Sequence, residues 1–511
     1  MRSGFGLNRG LGSIMIACAL LLTAASAEAD DMDNREVSRA HAIEVGGRRL
    51  VYESLVGREP VRVAGTDQVR ARMFYVAYRV TAANGEVRPL TVIWNGGPGG
   101  AIGPMLLGGQ GPKRVDGASI VDNSDTLLGK TDLLYIDAVG SGFSRPASLE
   151  DRPLFYQTRG DVDAFVECIL AWRRQHGAES QPVFLAGVSW GAYRVAAVPE
   201  ALAARGVIVG GGAMLAGRNG LAKPGAERRF RPLDIIQYSR IAFWHKKLAK
   251  EVGDNSNAVW RDASRWAHEV YLPALARITE LTQSDRDVIA RRLALYSGLS
   301  LNRINLQTLV VTPRDMVNGL LAEQGDKLVQ HDLRLIVPRS PPARKPRVSV
   351  EQYIRNVLSY NSSLAYLNLV WDAKRVEGFM PAGFDIPDWD YLNGYYADEL
   401  TRDERGRMNA QDGAAGYPPG GQEQPLALQA MRKTPGMRML VVHGQYDGLG
   451  ASCPAVKAQL SELEADVRSR VTFLCVESGH TLFVGNAGAR EKINAAMFDL
   501  LSSTRRIKDL S

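Results

Sequence analysis

The sequence predicts an α/β protein whose mostly parallel central sheet carries an inserted helical cap. Three observations carry this. Short apolar runs alternate with stretches of helical periodicity, which yields a sheet flanked by helices. Several runs end in glycine-rich turns. Between residues 218 and 436 the helical period takes over and the alternation stops. The expected organisation is a signal segment over 1–29, a first core part over 30–217, the cap over 218–436 and a second core part over 437–511.

Arg2 and Arg9 precede an apolar run from Ile14 to Ala25, and small residues follow at Ala25, Ala27 and Ala29. This is the pattern of a secretory signal cleaved after Ala27 or Ala29. The run is short for a membrane span, and Cys18 lies inside it rather than at its end, which argues against lipid attachment. The expectation is an exported protein, periplasmic or secreted, with no stable membrane span after cleavage. Export leaves Cys168, Cys453 and Cys475, an odd number, so at least one stays unpaired; Cys453 and Cys475 are a candidate disulfide.

From His41 to Val80, stretches such as Arg49–Glu53 and Met73–Val80 alternate as antiparallel strands, with Asn84-Gly85 as a turn. Pro89–Trp94 is an apolar run closed by Asn95-Gly-Gly-Pro-Gly-Gly100. A glycine-rich loop after a buried strand aims backbone N–H groups at an anion. It lacks the lysine and hydroxyl residue of a phosphate loop, so an oxyanion loop fits better. Thr131–Asp137 is a further strand and Gly160–His176 a helix, with Val162, Phe165, Val166, Ile169, Leu170 and Trp172 at helical spacing. Val183–Ala186 leads through Gly187-Val-Ser-Trp-Gly191 into a helix over Ala192–Arg205, and Val207–Ala216 is the next strand. In the cap, Tyr238–Leu248, Asp262–Leu281 and Asp285–Tyr296 read as helices, with no comparable buried strand. Pro338–Arg347 and Gln411–Gln424 read as loops. Met437–Gly444 and Val471–Val476 complete the sheet, and Ala489–Leu501 is an amphipathic closing helix.

Strand, sharp turn and helix around G-x-S-x-G form the nucleophile elbow of α/β-hydrolases. Ser189 sits at its centre, Asp447 follows one later strand and His480 another. Ser, Asp, His is the chain order of that fold. Ser189 needs a base to take its proton, a histidine such as His480 is the side chain suited to that, and Asp447 can fix the imidazole tautomer. His443 lies within a strand and reads as packed. Asp137 precedes the elbow, the wrong chain order for the acid. The remaining histidines read as surface or core residues. Tyr193 and Tyr238 are equally readable as pocket lining or packing.

Trp94-Asn-Gly-Gly-Pro-Gly99, Asp132–Ser144 and Phe184–Gly191 resemble the serine carboxypeptidase family. Gly111–Val115 with Asp122-Asn123, and Gly298-Leu-Ser300, resemble its bacterial branch. The resemblance runs from about residue 60 to the C-terminus and implies an α/β-hydrolase core with an inserted cap. It carries over Ser189, Asp447 and His480 as catalytic residues, the backbone N–H groups of Gly97 and Trp190 as oxyanion hole, and Asn95 as a substrate-binding residue. It implies no metal and no cofactor. Val188 stands where the family has a glutamate that grips the substrate's terminal carboxylate, and Trp190 replaces a tyrosine. Ile93 and Gly109 stand where the family has a tryptophan and a second glutamate. Hydrolytic machinery is thus better supported than exopeptidase specificity.

Hydrophobic content of 45%, charge of 23% and a net charge of +7 describe an ordinary globular chain. Its basic residues are scattered, which argues against nucleic-acid partners. The expected partner is a peptide or ester substrate, cleaved through an acyl-enzyme. The rivals are an esterase or acyltransferase on the same triad, a proline iminopeptidase-like enzyme, for which no acidic amine-gripping pair stands out, and a catalytically dead binding protein, which an intact triad argues against.

Overall fold

The computed structural model describes residues 34–62, 66–81, 87–223, 225–248, 252–253, 255–340, 348–369, 426–483 and 486–502. The signal segment, the Asn84-Gly85 turn and the Gln411–Gln424 loop lie outside the described residues.

The main strands are β1 (Val37–Val45), β2 (Arg48–Arg62), β3 (Val69–Arg79), β4 (Leu90–Trp94), β5 (Asp132–Ile136), β6 (Val183–Val188), β7 (Val209–Leu215), β8 (Arg438–Gly444) and β9 (Val471–Val476). They line up as β1-β2-β3-β5-β4-β6-β7-β8-β9 in a ten-stranded sheet, with the short pair Arg145–Pro146 beside β3. The pairings β1–β2, β2–β3 and β3–β5 are antiparallel, and the rest of the path is parallel. An antiparallel edge followed by a parallel body, with β4 and β5 exchanged, is the α/β-hydrolase fold.

The apolar runs are continuous because the parallel strands bury both faces. Val92, Trp94, Leu134, Leu185 and Val441 point to one side. There they meet helix α1 (Thr158–Gln175) through Val162, Phe165, Ile169 and Trp172, and helix α2 (Trp190–Ala203) through Val195 and Val198. Ile93, Leu133, Tyr135, Phe184, Ala186 and Val442 point to the other side. The C-terminal helix, Ala487–Ser502, covers that side with Ile493, Met497 and Leu501.

Residues between β7 and β8 form most of a third apolar cluster, joined by Tyr446 and Ala455 from beyond β8. It gathers α3 (Asp234–Trp244), α4 (Ser256–Trp266) and α5 (Gln283–Ser297). The helix expected over Asp262–Leu281 begins earlier, because the Asn255 side chain caps it by accepting the Ala258 N–H. It passes through a π-helical stretch, Ala267–Tyr271, into a last turn at Leu272–Ala276. Pro273 has no N–H to give, so the regular ladder cannot run through that turn. The region also contains strands: a hairpin pairs Leu328–Val329 with Asp332–Ile336. Its arms are too short for alternation to show in sequence, yet Leu328 and Leu333 are buried.

Candidate active site

Ser189 follows β6 and is the N-cap residue of α2, held at φ 58° and ψ −123°. A non-glycine residue in that region is strained. The turn is tight enough that a Cβ on Gly187 would lie 2.3 Å from the Gly191 carbonyl oxygen and from Trp94 Nε1. Trp94 Nε1 donates to that same carbonyl at 2.7 Å, locking β4 to the elbow.

The glycine-rich loop passes directly over this turn. A Cβ on Gly96 would lie 2.7 Å from Ser189 Cβ and 2.9 Å from the Trp190 nitrogen. Gly97 is exposed, and Ser189 and Trp190 are half-buried. The loop closes on itself through the Gly100 N–H to the Gly96 carbonyl at 2.9 Å. Asn95, the expected substrate-binding residue, donates its side-chain amide to the Ala101 carbonyl at 2.8 Å. That donation is internal to the loop.

Beyond the loop, Asp137 accepts the Ile102 N–H at 2.6 Å. Burial pushes its carboxyl up to about 7, against the pull of that bond and of Arg145.

The second half of the site comes from β8 and β9. His480 Nδ1 and Asp447 Oδ2 are 2.8 Å apart. Asp447 Oδ1 also accepts the Leu449 N–H at 2.8 Å. Burial alone would raise the Asp447 carboxyl, but His480 and these hydrogen bonds hold it below the usual carboxylate range. His480 follows β9, three positions along the sheet from β6. Its loop folds back over the end of β8, where a Cβ on Gly444 would lie 2.3 Å from the Gly479 carbonyl. Two of the three expected catalytic residues are thus joined directly, and Ser189 stands on its own elbow at the same carboxyl edge.

Sequence reasoning missed what holds the acid and the imidazole. Gln237 of α3 donates to the Asp447 carbonyl at 2.8 Å. The hairpin supplies the His331 carbonyl to the His480 N–H at 2.6 Å and the Gln330 carbonyl to the Gly448 N–H at 3.0 Å. The exposed His331 ring meets the His480 ring edge-on, centroids 5.6 Å apart. Cys453 and Cys475 form a disulfide between the start of helix Cys453–Ser461 and β9, while Cys168 is free and buried. His443 is buried as a packed histidine against Phe473, and burial pushes its imidazole down. Tyr193 and Tyr238 are both buried in apolar clusters.

Val188 is buried in the same apolar cluster as Ile93. The space beside Gly109 is taken by Arg490, whose Cδ would lie 2.5 Å from a Cβ there. Gly109 also offers its carbonyl to Asn123 and Asn494, each at 2.8 Å. No helix among the described residues is long and apolar enough to cross a membrane.

The serine carboxypeptidase family model matches residues 63–205, the stretch that holds β3 to α2, the glycine-rich loop and the elbow. No curated protein matches the chain. Among solved structures, a prohormone-processing carboxypeptidase from Saccharomyces cerevisiae is similar at 13% identity and TM-score 0.45, over 88% of this chain and 92% of that one. An acetylester hydrolase from Corynebacterium glutamicum is similar at 14% identity and TM-score 0.34, over 89% and 96%. An epoxide hydrolase from Bombyx mori that acts on juvenile hormone is similar at 10% identity and TM-score 0.32, over 89% and 80%. The family match over residues 63–205 ends just beyond the elbow, so over that stretch the chain is similar to serine carboxypeptidases, on a sheet in α/β-hydrolase order.

Proposed function

We propose that this is an exported serine hydrolase that cleaves peptides from the C-terminus through Ser189, His480 and Asp447. The observation that carries it is the strained Ser189 beneath the glycine-rich loop, with the His480–Asp447 pair at the same sheet edge. Asp447 occupies Nδ1 of the imidazole, which leaves Nε2 to serve as base. Ser189 Oγ attacks the scissile carbonyl carbon while His480 takes the hydroxyl proton. The tetrahedral oxyanion is stabilised by the N–H groups of Gly97 and Trp190, aided by the N-terminus of α2. Collapse breaks the C–N bond, and His480 gives its proton to the leaving amine. Water then attacks the acyl-enzyme with His480 again as base, releasing the acid and restoring Ser189.

Export is supported by the signal pattern over 1–29 and by the Cys453–Cys475 disulfide, a bond favoured in oxidising compartments. Mass spectrometry of the exported protein should find Glu28 or Asp30 at its N-terminus.

A second reading, an esterase or acyltransferase, is favoured by three observations. Val188 is apolar and buried, Asn95 spends an amide hydrogen inside its loop, and Arg490 fills the space at Gly109. Fluorophosphonate labelling of the wild type, absent in Ser189→Ala, tests the nucleophile. Turnover of a blocked dipeptide with a free C-terminus, against its amide and its ester, separates the two readings.

A further inference from the structure

A buried ion pair lies behind the glycine-rich loop. Arg194 of α2 is fully buried, and Asp161 of α1 is 3% exposed. The guanidinium grips the carboxylate at two points, Nε to Oδ2 at 2.7 Å and Nη2 to Oδ1 at 3.0 Å. Its remaining donors do not stay within the pair. Nη1 donates to the Asn95 carbonyl and Nη2 to the Pro98 carbonyl, each at 2.7 Å. Those two carbonyls bracket Gly96 and Gly97. Asp161 Oδ2 also accepts the Trp190 indole N–H at 3.3 Å. The ring of Phe165 closes the far side, 4.6 Å from the guanidinium carbon.

We infer that Arg194 and Asp161 are positioning residues that hold both arms of the oxyanion hole in register. One arm is Gly97, fixed through the carbonyls on either side of it. The other is Trp190, fixed through its side chain and through α2, which also carries Arg194. The inference rests on the oxyanion-hole reading above. A buried ion pair is poor evidence for a stability role, since apolar residues of similar size often serve as well. Here half of the guanidinium's bonds are directed to loop carbonyls. Only a planar fork with several fixed donors reaches a carboxylate and two carbonyls at once, and an ammonium cannot. A small misplacement of an oxyanion donor is costly, because removing one such donor lowers kcat by about 10²–10³.

The test uses the mature chain with p-nitrophenyl acetate as substrate and phenylboronic acid as a tetrahedral mimic. The variants are Arg194→Lys, Asp161→Asn, and the double variant Arg194→Leu with Asp161→Leu, which leaves no unpaired charge. Folding is checked by circular dichroism, and Ser189→Ala reports on the underlying site. The expected result is a fall of about ten- to a hundredfold in kcat, KM within about threefold of wild type, and a boronate inhibition constant that rises in step with the kcat loss. The double variant should regain thermal stability without regaining kcat. A double variant with both restored, or Arg194→Lys with wild-type kcat and boronate affinity, overturns the positioning role while an inactive Ser189→Ala leaves the site reading intact. Full activity in Ser189→Ala would instead remove the reading on which the inference rests.

Discussion

The two halves of the site are held together by different kinds of contact. The nucleophile half is assembled mainly from one stretch of chain, residues 94 to 194, with two outside ties, the Ser189 N–H to the Leu215 carbonyl and the Ala101 N–H to the Asn368 carbonyl. Trp94 bonds to Gly191, Arg194 to Asn95 and Pro98, and Asp161 to Arg194 and Trp190. The base half depends on distant residues. Gln237 reaches Asp447 across 210 positions, and the hairpin at 328–336 holds both the His480 and the Gly448 backbone. The first half rests mainly on the sheet and its two nearest helices, and residues 367–369 bridge only the far end of its loop and the Gly142 turn. The second is completed by the residues between β7 and β8, so a change there reaches Asp447 and His480 directly.

The largest expected effect treats the halves as one unit. Ser189→Ala and His480→Ala should each lower kcat by about 10⁴ or more. The double mutant should lose little beyond either single change, because neither residue works without the other. Losses that add in full would break the assignment of Ser189 and His480 to one mechanism.

Val188 sharpens the comparison on the nucleophile side. Val188→Glu introduces a hydrogen-bonding group worth roughly 1.5–3 kcal/mol to a charged partner, about a ten- to hundredfold change in discrimination. Preference should move toward a dipeptide with a free C-terminus and away from its amide, most strongly at acidic pH where the new carboxyl is protonated. The measurement is kcat/KM for both substrates between roughly pH 4 and 8, a window that spans ordinary carboxylate and imidazole pKa values. A wild type that already favours the free acid strongly at low pH would show that another group binds the carboxylate.

On the base side, Gln237→Leu removes the donor to the Asp447 carbonyl and leaves that carbonyl unpaired. A loss of about 1–2 kcal/mol is expected. If it is expressed in the orientation of His480, kcat falls by about tenfold. Fluorophosphonate labelling should slow in parallel, since the imidazole must activate Ser189 before the probe can react. Unchanged labelling with lowered thermal stability would mean that the contact supports folding alone, and the contrast between the halves would lose its functional content.

The same contrast explains what was legible in the sequence. The elbow, the glycine loop and the strands that carry them are contiguous patterns, so the Ser189 elbow, these strands and both core helices could be read directly. Asp447 and His480, the proposed acid and base, could be picked out because each follows a long apolar run. Their supports could not. Gln237 sits on a helix whose neighbours are apolar, and nothing local says that it faces Asp447. His331 lies in a two-residue turn between arms too short to alternate. Arg194 did leave a signal, a lone charge in Ala192-Tyr-Arg-Val-Ala-Ala-Val198, and Asp161 lies four residues before Phe165 on the buried face of α1. A charge placed on an apolar stripe in each of two helices flanking an elbow suggests a buried pair. The internal use of the Asn95 amide and the filling of the Gly109 space by Arg490 needed the tertiary structure.

The last expected effect is on stability rather than turnover and concerns how the nucleophile half responds to pH. Asp137 sits under the glycine loop, fully buried, bonded to the Ile102 N–H and facing Arg145. Burial lifts its carboxyl to about 7, well above the unfolded value of about 3.9. Between those values the folded chain binds more protons than the unfolded chain, so this group's contribution to stability is full at pH 4 and is lost as pH rises toward 7. Asp137→Asn keeps an acceptor for Ile102 but cannot ionise. Relative to wild type, the variant should gain stability across that window by up to about 1.4 kcal/mol per pH unit. Glu59 and Asp234, also raised by burial to about 7 and about 6, shift in the same direction in both proteins and cancel in the difference. Urea unfolding at pH 4, 6 and 8 measures that difference. A constant offset would mean that Asp137 is already ionised and compensated at pH 4. The loop would then be anchored by charge rather than by a neutral carboxyl, and the nucleophile half would keep its geometry from pH 4 to 8.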